Sequence, residues 1–243
     1  QIIVHWAIPI FVMITGSTLL AYRNKYSTKQ FFKKRLMNTF IPFLIWSFIY
    51  MLWKCYVGSL AVNSFGEAIY FLMSNKIIYI FWFFYMLFSL YISIPVISLI
   101  IKNKKILFYF ACLCFYTQAL IPLLTKFLHI QFLSYYNIPI AGSYLGYILL
   151  GYLISTTEIK KKYRYIIYCL GILSLFVMFF GTFLLSNNIG KLDDFFLRYE
   201  SITLYFLSIA VFTFAKYMNW TFLEHGLANK VIRVLSSASF GVY

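Results

Sequence analysis

Charge is scarce in this chain, and negative charge scarcer still: 11% of its 243 residues are charged and only 6 are Asp or Glu. With 63% hydrophobic residues and a mean hydropathy of +0.82, a soluble domain of this length could not keep its apolar surface from water. A soluble globular class is therefore excluded. Cysteine is limited to Cys55, Cys112, Cys114 and Cys169, all in or beside apolar runs. Cys112 and Cys114, two apart, point to different faces of a helix, so neither a metal site nor a disulfide framework follows. Internal repeats are lacking, which weighs against an inverted-repeat transporter. No linker or compositional break divides residues 1–243, which read as a single domain. A signal peptide is missing too, and the chain starts at Gln1, already apolar by Ile2. It stops at Tyr243, inside an apolar run that opens at Val234 and has about half the roughly 20 residues a crossing needs. Both ends read as cut.

Long apolar runs are what the chain does have, near 2–22, 37–57, 77–101, 106–124, 138–157, 164–185 and 200–215, with a partial run from 234. A segment in lipid must satisfy its own backbone hydrogen bonds, so runs of this length are helices. The fold class expected is all-α, a polytopic transmembrane helix bundle with about seven full spans. The gaps between runs are unequal. Every second gap is basic: Arg23, Lys25, Lys29, Lys33, Lys34 and Arg35; Lys102, Lys104 and Lys105; Lys160, Lys161, Lys162 and Arg164; Lys216, Lys230 and Arg233. These are 16 of the 21 basic residues. The positive-inside rule makes that side cytoplasmic and the protein a multi-pass protein of the cell (cytoplasmic) membrane. The net charge of +15 then faces anionic lipid headgroups, and with no soluble basic domain to carry it, a nucleic-acid partner is excluded. Aromatics gather near segment ends, as in Tyr50, Trp53 and Tyr56, or Tyr163, Tyr165 and Tyr168. Pro9, Pro42, Pro95, Pro122 and Pro139 sit within helical stretches and are expected to kink or start helices.

Several blocks, in order, resemble the integral-membrane acyltransferase 3 family. AIPIFVMITGSTLL (7–20) looks like that family's second helix, and FFKKRLMNTFIPFLIW (31–46) its basic inner loop running into a helix with an early proline. WFFYMLFSLYISIP (82–95) is similar to its tryptophan-aromatic stretch ending Y-x-x-x-P, and LGYILLGY (145–152) matches a G-Y-x-x-x-G-Y pattern. The closing SSASFGVY resembles the string that opens its last helix. The resemblance implies a bundle of about ten helices, of which the first and most of the last are outside this chain. It also implies transfer of an acyl group from cytoplasmic acyl-CoA to a hydroxyl, commonly of a cell-surface carbohydrate or lipid-linked glycan. The family's proposed base lies in its first helix, so the main catalytic histidine is expected outside this chain.

Individual residues can be weighed on their chemistry. Lys33, Lys34 and Arg35 concentrate positive charge where a helix enters the membrane, which suits coenzyme A phosphates and also serves plain topology signalling. Arg35 matches the family's basic position nearest the helix. Asn38 stands where a second basic residue is often found, so a two-arginine clamp does not follow. His5, near the outer end of its helix, is a further candidate to hold the acceptor or its developing charge; the alternative is an interfacial histidine. His129 and His225 fall in loops and read as solvated. Trp82, Tyr85 and Tyr91 could line an acyl or glycan path, with Trp82 and Tyr85 three apart on one helix face, or could simply pack. Gly142, Gly146 and Gly151 give their helix a small-residue face for close helix contact. Asp193 and Asp194 are adjacent on an exposed outer loop that they would solvate; with Glu200 they could also meet acceptor hydroxyls.

The expectation is thus an O-acyltransferase that moves a short acyl group, acetyl or succinyl, with acyl-CoA as donor, no tightly bound cofactor and no metal. Its partners are acyl-CoA, a cell-surface polysaccharide or lipid-linked glycan, and membrane lipid. The rival readings are an exporter of a glycan or lipid-linked sugar, which needs a continuous polar path at mid-membrane, and a non-catalytic membrane subunit.

Overall fold

The computed structural model describes residues 5–128, 144–221, 229–232 and 234. His129, His225, Pro139, Gly142, Arg233 and the SSASFGVY string lie outside the described residues. Every regular element among those described is helical. Helix α1 (Ala7–Leu19) is followed by a 3-10 turn at Tyr22–Asn24. Helix α2 (Thr28–Tyr56) starts on a capping box, with Ser27 and Gln30 exchanging side-chain-to-backbone hydrogen bonds. A short helix α3 (Phe65–Met73) precedes α4 (Tyr79–Ile97), α5 (Lys104–Leu128), α6 (Leu145–Thr156) and α7 (Lys161–Ile189). The last long span, Phe195–Tyr217, opens on a 3-10 turn at Phe195–Leu197 and continues as helix α8 (Ile202–Tyr217).

Five described spans are long and apolar enough to cross a membrane, against the seven full runs expected. The two runs not among the five are 2–22 and 138–157, of which residues 2–4 and 138–143 lie outside the described residues. Helix α1 stops at Leu19 and α6 stops at Thr156, where Thr157 turns extended. The 13 and 12 residues described reach only about 18–20 Å at 1.5 Å per residue.

Two prolines open the α-helical part of a longer helix, just after a π-helical segment. In α2 and α5 a π-helical segment, Leu36–Phe40 and Tyr116–Leu120, comes just before Pro42 and Pro122. Proline has no N–H and its ring collides with the carbonyl four residues back. The wider π register at that carbonyl gives the ring room without ending the helix. Pro95 sits near the end of α4, where Ser98 Oγ donates to its carbonyl at 2.6 Å.

The centre is made by α6, packed on α1, α5 and α8. The α1–α6 crossing is backbone to backbone: a methyl group on Gly16 would overlap the Ile148 carbonyl, and one on Gly151 the Met13 carbonyl. Gly146 faces Tyr205 and Cys114 instead. The expected single small-residue face is therefore split, because residues five apart are rotated well away from each other on a helix. Cys114 is buried and Cys112 exposed, as their spacing requires. By contrast α2 and α7 show Phe48, Leu52, Trp53, Phe179, Phe180 and Phe183 outward, the surface a helix presents to lipid.

Cross-links place alternate helix ends together. Arg23, after α1, donates to Ser98 Oγ at 2.6 Å and to the Pro95 carbonyl at 3.2 Å, at the end of α4. Lys216, at the end of α8, donates to the carbonyls of Ile154 and Thr157, and Lys104, at the start of α5, to that of Thr156. The C-terminus of α6 thus holds two ammonium groups against its negative dipole end. At the opposite end Lys126 pairs with Asp193 at 2.5 Å, and Phe127 packs on Phe195 and Phe196. We refer to these as the basic end and the aromatic end.

Candidate active site

At the aromatic end the starts of α4, α6 and the last span converge on Tyr199. His5 stacks on its ring with centroids 5.5 Å apart, and Trp82 stacks at 5.5 Å. Tyr144 lies 6.0 Å from Tyr199 and 6.2 Å from Trp82. Tyr144 caps α6 with φ at 59°, a left-handed conformation rare outside glycine and strained for a ringed side chain. The packing of its ring among Trp82, Tyr147 and Tyr199 holds it there. Tyr147, buried and stacked on Tyr205 at 4.4 Å, donates its hydroxyl to the Tyr199 carbonyl at 2.5 Å. The Tyr199 backbone is thereby fixed from below.

The turn before Tyr199 is also tied. Asp193 accepts from Lys126 and from the Phe195 N–H, and its own N–H donates to Ser186 Oγ. Its side chain is only 9% exposed, while Asp194, paired with Arg198, is 61% exposed. Asp193 is thus not a solvated loop carboxylate as expected; the hydrogen bond from Lys126, with that from Phe195, holds its carboxyl below the usual range. Immediately after Tyr199, Glu200 lines a cavity of 400 Å³ with Gln118, Phe195 and Arg198.

At the basic end, three consecutive residues do not share a face, because each step turns a helix by about 100°. Lys33 and Lys34 line an open cavity of 460 Å³ with Lys25, Tyr26, Gln30 and Asn38. Lys34 Nζ lies 4.1 Å above the Tyr26 ring. Arg35 turns inward, its guanidinium 5.5 Å from the Tyr91 ring and 5.8 Å from Phe31. Its Nε is shielded from solvent and has no hydrogen-bond partner among the described residues.

Helix α4 joins the two ends, and the three residues expected to line one path separate along it. Trp82 belongs to the aromatic cluster. Tyr85 packs edge-on against Phe43 at 5.3 Å and donates to the Leu72 carbonyl at the end of α3. Tyr91 is buried beneath Arg35, nine residues and about 14 Å from Trp82. Trp82 and Tyr85 therefore meet different neighbours despite their spacing. Sequence reasoning missed Tyr199, Tyr144 and Tyr147 as a unit, and Gln118 and Arg198 beside them. The available signal was an aromatic next to Glu200 where a span begins.

The arrangement gives an imidazole and stacked rings at one end and a cationic groove with an unsatisfied guanidinium N–H at the other. A family model described as an acyltransferase domain matches residues 1–243. Among curated proteins and among solved structures, none matches the chain.

Proposed function

The chain belongs to the acyltransferase 3 family, a membrane acyltransferase, and from that membership we propose that it moves a short acyl group, acetyl or succinyl, from acyl-CoA to a hydroxyl of a cell-surface polysaccharide or lipid-linked glycan. The basic end is the cytoplasmic, donor side of the cell membrane in this reading. The observation that carries it is the Arg35 Nε, buried without a partner beside a groove lined by lysines. A buried donor left unpaired costs about 1–3 kcal/mol, a cost that an anionic or carbonyl oxygen of a ligand would remove.

In the reaction the acceptor hydroxyl oxygen attacks the thioester carbonyl, the C–S bond breaks, and coenzyme A leaves as a thiolate that takes up a proton. Lys33 and Lys34 hold the phosphates as point charges, and Arg35 supplies the directional N–H. Tyr91 braces the guanidinium from the bundle side. Trp82 and His5, both stacked on Tyr199, position the acceptor, and the imidazole steadies its hydroxyl as charge develops. Rings braced on all sides hold that geometry without reorganisation. Tyr85 supports α4 through Leu72.

The test uses the full-length protein in membrane vesicles with labelled acetyl-CoA and a cell-envelope glycan fraction, comparing wild type with Arg35→Ala. Label should reach the glycan with wild type and fall roughly 10–100-fold with the variant, the range for losing a hydrogen bond to a charged group. No transfer from any short acyl-CoA, with normal membrane insertion, would overturn the reading in favour of export.

A further inference from the structure

Helix α3 leaves an apolar face uncovered. Phe65, Ile69 and Met73 recur every fourth residue and so share one side of it. Phe65 is 82% exposed and Met73 71%, while Ala68, Phe71 and Leu72 are half-buried on the bundle side. Glu67 lies about 160° round the helix from Ile69 and accepts the Asn63 N–H at 2.7 Å. The depth of α3 follows from its ties. Phe81, at the start of α4, packs on Tyr50 at 5.8 Å and on Phe43 at 5.6 Å. Tyr50 is six residues, about 9 Å, short of the end of α2 at Tyr56. Only residues 74–78 join α3 to α4, at most about 17 Å of chain, and Tyr85, one turn beyond Phe81, donates its hydroxyl to the Leu72 carbonyl. The C-terminus of α3 is therefore level with the last turns of α2, not beyond them. Those turns show Phe48, Leu52 and Trp53 to lipid.

We propose that α3 is seated in the lipid leaflet at the aromatic end, at the boundary between acyl chains and headgroups. Phe65, Ile69 and Met73 lie among the acyl chains, continuing the lipid-facing surface of α2. Lys76 donates to the Tyr70 hydroxyl at 2.7 Å, with its ammonium 4.6 Å above that ring. Such a pair, with apolar bodies and polar tips, suits the headgroup level. A protein partner fits the face less well. The three uncovered side chains carry no nitrogen or oxygen to pair, and they fall short of the roughly 800 Å² per partner that a stable protein interface buries. Lipid requires neither. The seat also bears on the candidate site, because Leu72 is tied to Tyr85, three residues from Trp82 on α4. That a lipid seat steadies the acceptor side rests on the transfer reading; that lipid covers α3 does not.

The experiment places a photoreactive benzophenone amino acid at Phe65, Ile69 or Met73, one at a time, in the full-length protein in membranes of the expressing cell. Adducts formed on illumination are identified by mass spectrometry. Each position should carry phospholipid, and Ser74, exposed on the polar side of α3, several-fold less. Ile69→Asp should lower the lipid adducts at the Phe65 and Met73 positions roughly tenfold, because a carboxylate is costly among acyl chains. The detergent size-exclusion profile should hold, since the Ile69 side chain is exposed. In transfer assays the same substitution should raise KM for the glycan and leave KM for acyl-CoA unchanged. Adducts to protein, whether a second copy of this chain or another polypeptide, overturn the proposal, as do positions that form no adduct and lipid adducts indifferent to Ile69→Asp. Lipid adducts with an unchanged KM, or in a protein that shows no transfer, support the seat and remove only its bearing on the acceptor side.

Discussion

The two candidate sites use aromatic rings differently, although each end of the bundle holds both ring–ring and cation–ring contacts. At the aromatic end rings lie on rings, with His5, Trp82 and Tyr144 around Tyr199, and the Tyr147 hydroxyl and the Asp193 carboxylate are already paired. At the basic end rings lie under cations: Lys34 over Tyr26 at 4.1 Å, Arg35 over Tyr91 at 5.5 Å, Arg164 over Tyr217 at 4.1 Å. A stacked ring has two side-chain torsions and loses little freedom when fixed, whereas a lysine keeps a long mobile stem. The first arrangement holds one geometry, as positioning an acceptor for attack requires. The second attracts a polyanion and lets it leave. Two kinds of substitution should therefore fail differently at the two ends.

The largest effect should come from breaking what both ends share. Helices α1 and α6 cross at Gly16 and Gly151 with backbone, not a movable side chain, as the neighbour. Gly151→Val or Gly16→Val forces the helices apart, at or beyond the upper end of the roughly 1–3 kcal/mol for overpacking. We expect little folded protein on detergent size-exclusion, with the aromatic and basic ends lost together. Gly66→Ala, on α3, meets only Ser64 Oγ at 3.8 Å and should leave the profile unchanged. Folded Gly151→Val protein that retained the donor site alone would show the two ends to be independent.

Next in size is Tyr147→Phe. It keeps the stack on Tyr205 and removes the hydroxyl from the Tyr199 carbonyl, at a cost of about 1–3 kcal/mol for the unpaired group. Tm should fall and KM for the acceptor rise, with KM for acyl-CoA unchanged. Lys34→Gln at the other end should do the reverse and less. One exposed charge among several is screened by salt, so KM for acyl-CoA should rise about threefold at low ionic strength and hardly at all near 0.5 M salt.

The alternation of helix direction was legible because topology is written in the basic gaps, from Arg23 beside Ser98 to Lys216 beside Thr157. Five spans were legible for the same reason, and the runs at 2–22 and 138–157 are described only in part, as α1 and α6. The value of Gly151 for close packing was legible; its partner Gly16 was not, since a glycine's neighbour depends on which helices pair. Trp82 could be singled out from its position, but the cluster around Tyr199 joins residues as far apart as His5 and Tyr205. No local pattern encodes that meeting. The separation of Arg35 from Lys33 and Lys34 follows from the helical turn alone and could have been drawn from the sequence.

The smallest effect sharpens the comparison by pH. The hydrogen bond and charge of Lys126 hold the Asp193 carboxyl below its usual range, so the folded state favours its ionised form. That stabilisation is complete above the ordinary aspartate pKa of about 4 and is lost as pH falls through the lower folded value. With Lys126 one-third exposed, the pair is worth about 1 kcal/mol at most. Asp193→Asn keeps an oxygen for the Phe195 N–H and removes the charge. Its Tm should lie slightly below wild type at pH 7, and the gap should close as pH falls through the lowered folded value. A wild-type Tm that did not fall more steeply than the variant's below pH 4 would show that ring stacking alone holds this end, and that only the basic end depends on charge.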